Sequence, residues 1–495
     1  MTLPSHTRAT RREWIGLAVI ALPCLLYAMD LTVLTLAIPS LTEDLRPSAT
    51  ELLWIVDIYG FLVAGFLITM GTLGDRIGRR RLLLIGAAAF GAASVVAAFA
   101  TSPEMLIASR AILGIAGATL APSTLSLIRN MFEDPHQRTV AIGIWIASFS
   151  AGAAVGPLVG GVLLEQFWWG SVFLLAVPVM AGLLVVGPRL LPEYRDPEPG
   201  PLDLVSVALS LAAVLGVIYG VKSLATGGAS PVAIAVSAAG LVLGVAFVAR
   251  QRRLRDPMID LGLFSKPGFS AALTANLLGF AVVFGLDVFI AQYLQLVLGY
   301  SPLAAGLWSM PAAIAFVVGS QLTPPLSTRM PPARLMLGGL VLALAGVAVI
   351  TQAQATSGPG VVVAGVVILS LGFAPLFTLA ADLAVGSAPP ERAGAASGIS
   401  ETSSELGGAL GLALLGTIGT AVYQAGVPGS ETLAEVTQPD LLAPAREAFT
   451  HALQVTATVS GAIIVAAALL VATLVRRASQ KVLQPSVDFG CARSS

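Results

Sequence analysis

Six ionisable residues stand inside long apolar runs of this chain: Asp30, Asp57, Arg110, Asp287, Glu401 and Glu405. A charge in hydrocarbon costs several kcal/mol unless it is paired, hydrated or neutralised by a proton, so each such residue is a functional candidate by default. Counted from the ends of their runs at about 1.5 Å per residue, Asp30, Asp57 and Arg110 fall within a few Å of one depth and are expected to meet. An arginine keeps its charge and favours the ionised form of a nearby carboxylate, whereas burial favours the protonated form. A carboxylate balanced between these effects alternates between holding a proton and holding a cation, which is the chemistry of a proton-coupled transporter. A static ion-pair network that only fixes helix packing is the alternative.

Two further groups of residues carry related chemistry. Asp287 stands mid-run among Phe280, Phe284, Phe289 and Tyr293, with Phe280 and Phe284 on roughly its own helical face. An acid beside aromatic faces suits a lipophilic cation, which gains a counter-ion and cation–π attraction; Asp287, Phe280, Phe284 and Tyr293 are therefore the expected substrate-binding residues. Glu401 and Glu405 in SETSSELGG are four apart on one helix face. Two carboxylates so close do not both ionise cheaply, which makes the pair a second proton or cation site, unless a water-filled vestibule solvates both. Asp382, at the end of a run, reads as structural and snorkelled, and Trp54 as an interface anchor.

Other chemistries lack their parts. The three histidines, His6, His136 and His451, and the two cysteines, Cys24 and Cys491, are scattered, giving no metal-ligand spacing, no disulfide framework and no nucleophile–base pair. No G-x-x-x-x-G-K-[ST] occurs to cradle a nucleotide. Neither an enzyme nor a resident cofactor or metal is expected. A formal net charge of zero argues against nucleic-acid binding.

The elements that must position these residues are membrane helices. With 56% hydrophobic and 11% charged residues over 495 positions, and a mean hydropathy of +0.87, the chain is too apolar for a soluble protein and too long for one anchor. Runs of the length a bilayer needs, roughly 20 residues, occur at 14–39, 51–71, 82–101, 104–128, 139–163, 168–190, 202–224, 231–250, 269–298, 302–323, 333–352, 359–382, 394–423 and 448–475. These predict fourteen spans. The first run is too long for a signal-peptide core and is read as a retained span. With the N-terminus inside, Arg46, Lys222 and Arg446 fall outside, Arg110 in the membrane, and the other 23 of 27 Lys and Arg in the cytoplasm, so both termini are cytoplasmic. The chain divides into a six-helix half (1–195), an inserted two-helix hairpin (196–255), a second six-helix half (256–480) and a cytoplasmic tail (481–495). The segment 426–447 reads as a solvated external loop with room for a short helix.

Motifs on these spans narrow the class. Residues 71–81, GTLGDRIGRRR, read as a tight cytoplasmic turn in which Gly71, Gly74 and Gly78 permit close approach and bends, Asp75 caps a neighbouring helix, and Arg76, Arg79, Arg80 and Arg81 fix orientation. This segment resembles the G-x-L-x-D-R-x-G-R-[RK]-[RK] signature between helices 2 and 3 of the major facilitator superfamily. MDLTVLTLAIP around Asp30 is similar to the first-span motif L-D-x-T-V-x-N-V-A-L-P of its fourteen-span drug/proton antiporter family, with Thr35 in place of asparagine. SRAILGIAGATLAP around Arg110 resembles the family's R-x-x-x-G-x-G-x-A, with Ala116 where the second glycine is usual. GAAVGPLVGG at 152–161 resembles the antiporter motif in which Gly156 and Pro157 bend the helix and the small face with Gly152 and Gly160 lets it rock against a neighbour.

The resemblance implies a multi-pass protein of a bacterial cytoplasmic membrane. It implies an antiporter, working as a monomer in the bilayer, that exchanges protons for bulky lipophilic, mainly cationic drugs, dyes and quaternary ammonium compounds. A more specific proton-coupled exporter of a metabolite, antibiotic or siderophore would share the scaffold, since function lives in the site.

Overall fold

The computed structural model describes residues 8–197, 203–227, 230–254, 257–427, 433 and 438–483. The first part of the chain forms α1 (Arg11–Leu45), α2 (Ala49–Ile77), α3 (Arg79–Ala98), α4 (Pro103–Met131), α5 (Pro135–Gln166), α6 (Ser171–Leu174) and α7 (Ala176–Leu190). Then come α8 (Leu204–Gly227), α9 (Pro231–Gln251), α10 (Gly262–Ser265), α11 (Pro267–Gln292), α12 (Pro302–Ser327), α13 (Pro332–Ile350), α14 (Gly360–Ser387), α15 (Ala393–Gly426) and α16 (Pro439–Leu483). Their starts are written in the sequence. Thr10 with Glu13, and Ser48 with Glu51, form capping boxes at α1 and α2. Ser102, Asp134, Ser230 and Ser301 cap α4, α5, α9 and α12, each followed at once by a proline whose missing N–H costs nothing in a first turn.

Thirteen helices among the described residues are long and apolar enough to cross a membrane, with α6 and α7 counted as one crossing broken at Leu175; the apolar stretch Leu204–Gly220 of α8 makes the fourteenth. The membrane face that carries Arg79, Arg80 and Arg81 is here called the basic face. Buried apolar side chains gather in two large clusters, one built mainly from α1–α7 around Tyr59, Phe90 and Trp145, the other from α11–α16 around Leu340, Phe373 and Leu453. The α8–α9 hairpin stands apart, joined backbone to backbone at Gly216 and Gly240. Its base is a forked ion pair, Arg250 Nε and Nη2 donating to Asp203 Oδ2 and Oδ1 at 2.7 and 3.0 Å. Val214 and Ile218 of α8 pack on Ala64 and Phe61 of α2 and on Leu406 and Ala409 of α15, so the hairpin leans on both halves.

The expected turn over 71–81 contracts to a single residue. α2 runs to Ile77 and α3 begins at Arg79, so Gly71 and Gly74 are helical and serve packing rather than bending. Only Gly78 turns the chain: its φ is 109°, and a Cβ there would meet the Glu193 carboxylate at 2.6 Å. In the expected external segment 426–447 the helix is the start of α16 at Pro439; residues 428–432 and 434–437 lie outside the described residues, as do 198–202 and 484–495.

Candidate functional site

Arg110 is fully buried in α4, and its geometry sets the centre of the first half. Its Nη1 donates to Asp30 Oδ2 of α1 at 2.5 Å, its Nε to the Ile55 carbonyl of α2 at 3.1 Å, and its Cζ lies 4.7 Å from the centre of the Tyr59 ring. An ion, a carbonyl and a π-face together replace the water that a guanidinium loses on burial. The expected three-way meeting is therefore corrected. Ile55 and Tyr59, four apart, present one face of α2 to Arg110, and Asp57 between them is turned by about 200° to another side, where it is half-buried. Asp30 also borders a cavity of about 20 Å³, room for one water, lined by Leu26, Met29, Val33 and Phe90.

Tyr27, one turn before Asp30 on α1, extends this centre across to the second half. Its hydroxyl donates to Glu405 Oε1 of α15 at 3.3 Å, and its ring lies 5.9 Å from that of Tyr59 and 5.7 Å from that of Phe149. Phe149 meets Trp145 edge-on at 4.9 Å, and Trp145 is oriented by donating Nε1–H to Thr124 Oγ1 at 2.9 Å. Glu401, one turn below Glu405 and half-buried, is within electrostatic reach of Cys24 and Tyr27. The carboxylate pair thus faces an aromatic group from α1 and α5. Tyr27 and Tyr59 were missed in the sequence because a tyrosine inside an apolar run reads as packing; the available signal was Tyr27 lying one turn from an intramembrane acid.

On α11, Phe284 (48% exposed) and Asp287 share an exposed stripe, and Phe280 packs 6.0 Å from Phe284 and 4.4 Å from Phe377 of α14. Phe284 lies over Gly408 of α15, close to one turn beyond Glu405, where α11 and α15 pack backbone to backbone at Gly407 and Gly411. Tyr293 does not join them. It is fully buried in a π-helical turn, and its hydroxyl donates to the Gln354 carbonyl at 2.7 Å, which makes it a structural pin and corrects its assignment to substrate.

The halves are locked at the basic face. Asp75 accepts from the backbone N–H groups of Gly394 and Ala395, at 3.0 and 2.9 Å, and so caps the start of α15 across the interface. Arg79, expected at the surface, is buried instead: its Nε donates to Asp75 Oδ1 at 2.9 Å and its Nη2 to the Pro390 carbonyl at 2.6 Å. Arg80 bonds the carbonyls of Pro188 and Leu191, Arg76 is half-buried, and Arg81 is exposed. A second lock joins α5 to α14, with Arg138 Nε at 2.7 Å and Thr139 Oγ1 at 2.9 Å donating to the two oxygens of Asp382. Asp382 is thus structural, as expected, but as half of an inter-half ion pair. Gly71 meets Gly394 so closely that a Cβ would collide with the carbonyl. Gly152, Gly156 and Gly160 form one buried stripe of α5, where Gly152 lies against the Leu25 backbone and Gly160 against Val33; Pro157 lies in the same helix. The glycine motif is therefore the α1–α5 contact.

Two helical halves, closed on each other at one membrane face and carrying a buried ion pair at the centre, define a polytopic membrane carrier. The chain belongs to the Major Facilitator Superfamily, whose model matches residues 20–412. It is 46% identical to the multidrug efflux pump LfrA of Mycolicibacterium smegmatis, over 96% of this chain and 98% of that one. It is 35% identical to the methyl viologen resistance protein SmvA of Salmonella typhimurium, over 84% of each. The human organic anion transporter MFSD10 has the same fold, with a TM-score of 0.61 at 17% identity, over 91% of this chain and 99% of that one. The spans and the bacterial relatives make this a multi-pass protein of the bacterial cytoplasmic membrane.

Proposed function

We propose that the protein is a proton-coupled antiporter that exports bulky lipophilic, mainly cationic drugs, dyes and quaternary ammonium compounds, working as a monomer with its basic face and both termini in the cytoplasm. The observation that carries the reading is the Asp30–Arg110 pair at the centre of the first half, one helical turn from the Tyr27–Glu405 contact between the halves. A proton on Asp30 cancels its attraction for Arg110, so protonation changes the internal contacts of one half. A cation at Glu401, Glu405 or Asp287 favours the ionised carboxylates, so proton and cation compete for the same charge. In the orientation proposed, the locks at Asp75 and Asp382 close the cytoplasmic side, which is the state that releases a cation outward and takes up a proton. The identity to multidrug and methyl viologen resistance proteins supports a broad, charge-selected substrate range.

The test is purified protein in proteoliposomes with an imposed pH gradient and a panel of chemically unrelated cationic dyes. Accumulation of several dyes against their gradients, with proton movement in the opposite direction, is expected. One tight substrate with no response to unrelated cations would replace the multidrug reading by a specific exporter. Dye movement indifferent to the pH gradient would remove proton coupling.

A further inference from the structure

The Tyr59 hydroxyl has no hydrogen-bond partner among the described residues, although the residue is completely buried. Its ring already serves Arg110 through the π-face, a task phenylalanine performs as well without burying an unpaired hydroxyl. The hydroxyl stands beside Gly117 of α4, where a Cβ would come to 3.3 Å of it. It lies within electrostatic reach of Asp30, Arg110 and Glu405. Tyr27, whose ring centre is 5.9 Å from that of Tyr59, carries a hydroxyl bonded to Glu405. Two phenol groups therefore stand in series between a carboxylate at the interface of the halves and a carboxylate paired inside one of them.

We propose that Tyr27 and Tyr59 form a hydroxyl bridge that passes protons between Glu405 and Asp30, making the two acids one coupled unit. The inference rests on the proton-coupled reading above and names the residues that connect its acids. In each passage the Glu405 O–H bond breaks as its proton joins the Tyr27 oxygen, and Tyr27 gives its own proton to a water between the rings. That water protonates Tyr59 oxygen as Tyr59, whose hydroxyl touches no carboxylate directly, passes its proton through a second water to the Asp30 carboxylate. Glu405 loses one proton and Asp30 gains one; both tyrosines and both waters are unchanged. Neutral Asp30 then releases Arg110, which keeps the Ile55 carbonyl and the Tyr59 ring. The ionisable groups facing this path are Cys24, Tyr27 and Asp30 from α1, Tyr59 from α2, Arg110 from α4 and Glu401 and Glu405 from α15; α5 presents Trp145 and Phe149.

Tyr59→Phe and Tyr27→Phe test it in the full-length protein, with ethidium as the probe in proteoliposomes. Ethidium exchange at equal pH, which needs no net proton passage, should fall by a clearly smaller factor than accumulation does, since both rings remain. Accumulation driven by a pH gradient should fall at least tenfold in each variant, and the double variant should be no worse than either single one. Undiminished accumulation in Tyr59→Phe would overturn the bridge, as would exchange falling as far as accumulation, which would make the hydroxyls packing elements. Wild-type protein that ignores the pH gradient would instead overturn the proton-coupled reading, and the bridge with it.

Discussion

Asp75→Ala isolates the energy that closes the basic face, because the contacts of Asp75 divide into two kinds. Its pair with Arg79 lies within the first half and travels with it, so it cancels between the open and closed states. Only the bonds from Gly394 and Ala395 cross to the second half. A hydrogen bond to a charged group contributes about 1.5–3 kcal/mol, and a carboxylate at a helix start up to about 2 kcal/mol. These contributions overlap, so we expect the variant to lose roughly 3 kcal/mol of closed-state preference, about 100-fold in the closed-to-open ratio. Asp75→Asn, which keeps one carbonyl oxygen for one amide, should lose about half as much. The Ser126 and Ser397 hydroxyls are 3.4 Å apart across the same interface. Cysteines at these two positions, with Cys24 and Cys491 replaced by serine, report closure as a disulfide formation rate. The rate should fall in the order wild type, Asp75→Asn, Asp75→Ala, while dye affinity stays level and net transport is lost. Equal rates in all three folded proteins, or a large loss of dye affinity with the gate intact, would refute the division.

Asp30→Asn mimics a permanently protonated carboxyl beside Arg110; it should abolish accumulation of every dye under a pH gradient while the protein stays folded, and surviving accumulation would transfer coupling to Glu401 and Glu405. Asp287→Asn keeps the shape of the α11 stripe but removes its charge, so transport of dicationic dyes should fall several-fold more than that of monocations, measured as relative initial rates. The Asp203 carboxyl, at the membrane edge, is held well below the usual carboxylate range by its hydrogen bonds from Arg250, Ser206 adding to the effect. A depressed folded value means that the pair's contribution is complete above the unfolded value of about 4 and is lost only as pH falls below it. Hydrogen exchange at the base of α8 and α9 should therefore keep constant protection from pH 5 to 8, and Asp203→Asn should lower that protection equally across the range.

Span number and helix starts were legible because both are one-dimensional properties: apolar length, and a capping residue followed by proline. The pairing of Asp30 with Arg110 was legible from depth, since helices of known rise fix height. Azimuth was not. Asp57 has the right height and the wrong side of α2, and Tyr293, six residues past Asp287 and so about 240° around the axis, opens the π-helical turn that follows α11. The burial of Arg79 was hidden for another reason. A run of arginines reads as a solvated surface, and which member turns inward depends on the segment after α7, where Tyr194 supplies a carbonyl to the Arg79 N–H and a ring to its guanidinium.

The two locks at the basic face differ in how they can be inherited. Arg138 and Asp382 are both side chains, so exchanging the two residues leaves one ion pair in place, and a change at either position has a compensating change at the other. Asp75 is read by the amides of residues 394 and 395, and an amide has no letter in the sequence. A replaced Asp75 leaves these amides with nothing on α15 to change in answer; residue 394 itself has no room for a Cβ, which would meet the Asp75 carboxylate and the Gly71 carbonyl. A change at 138 or 382 is thus repairable from its partner position. One at 75 is not, and its partner leaves no covarying trace by which a reader of related sequences could find it.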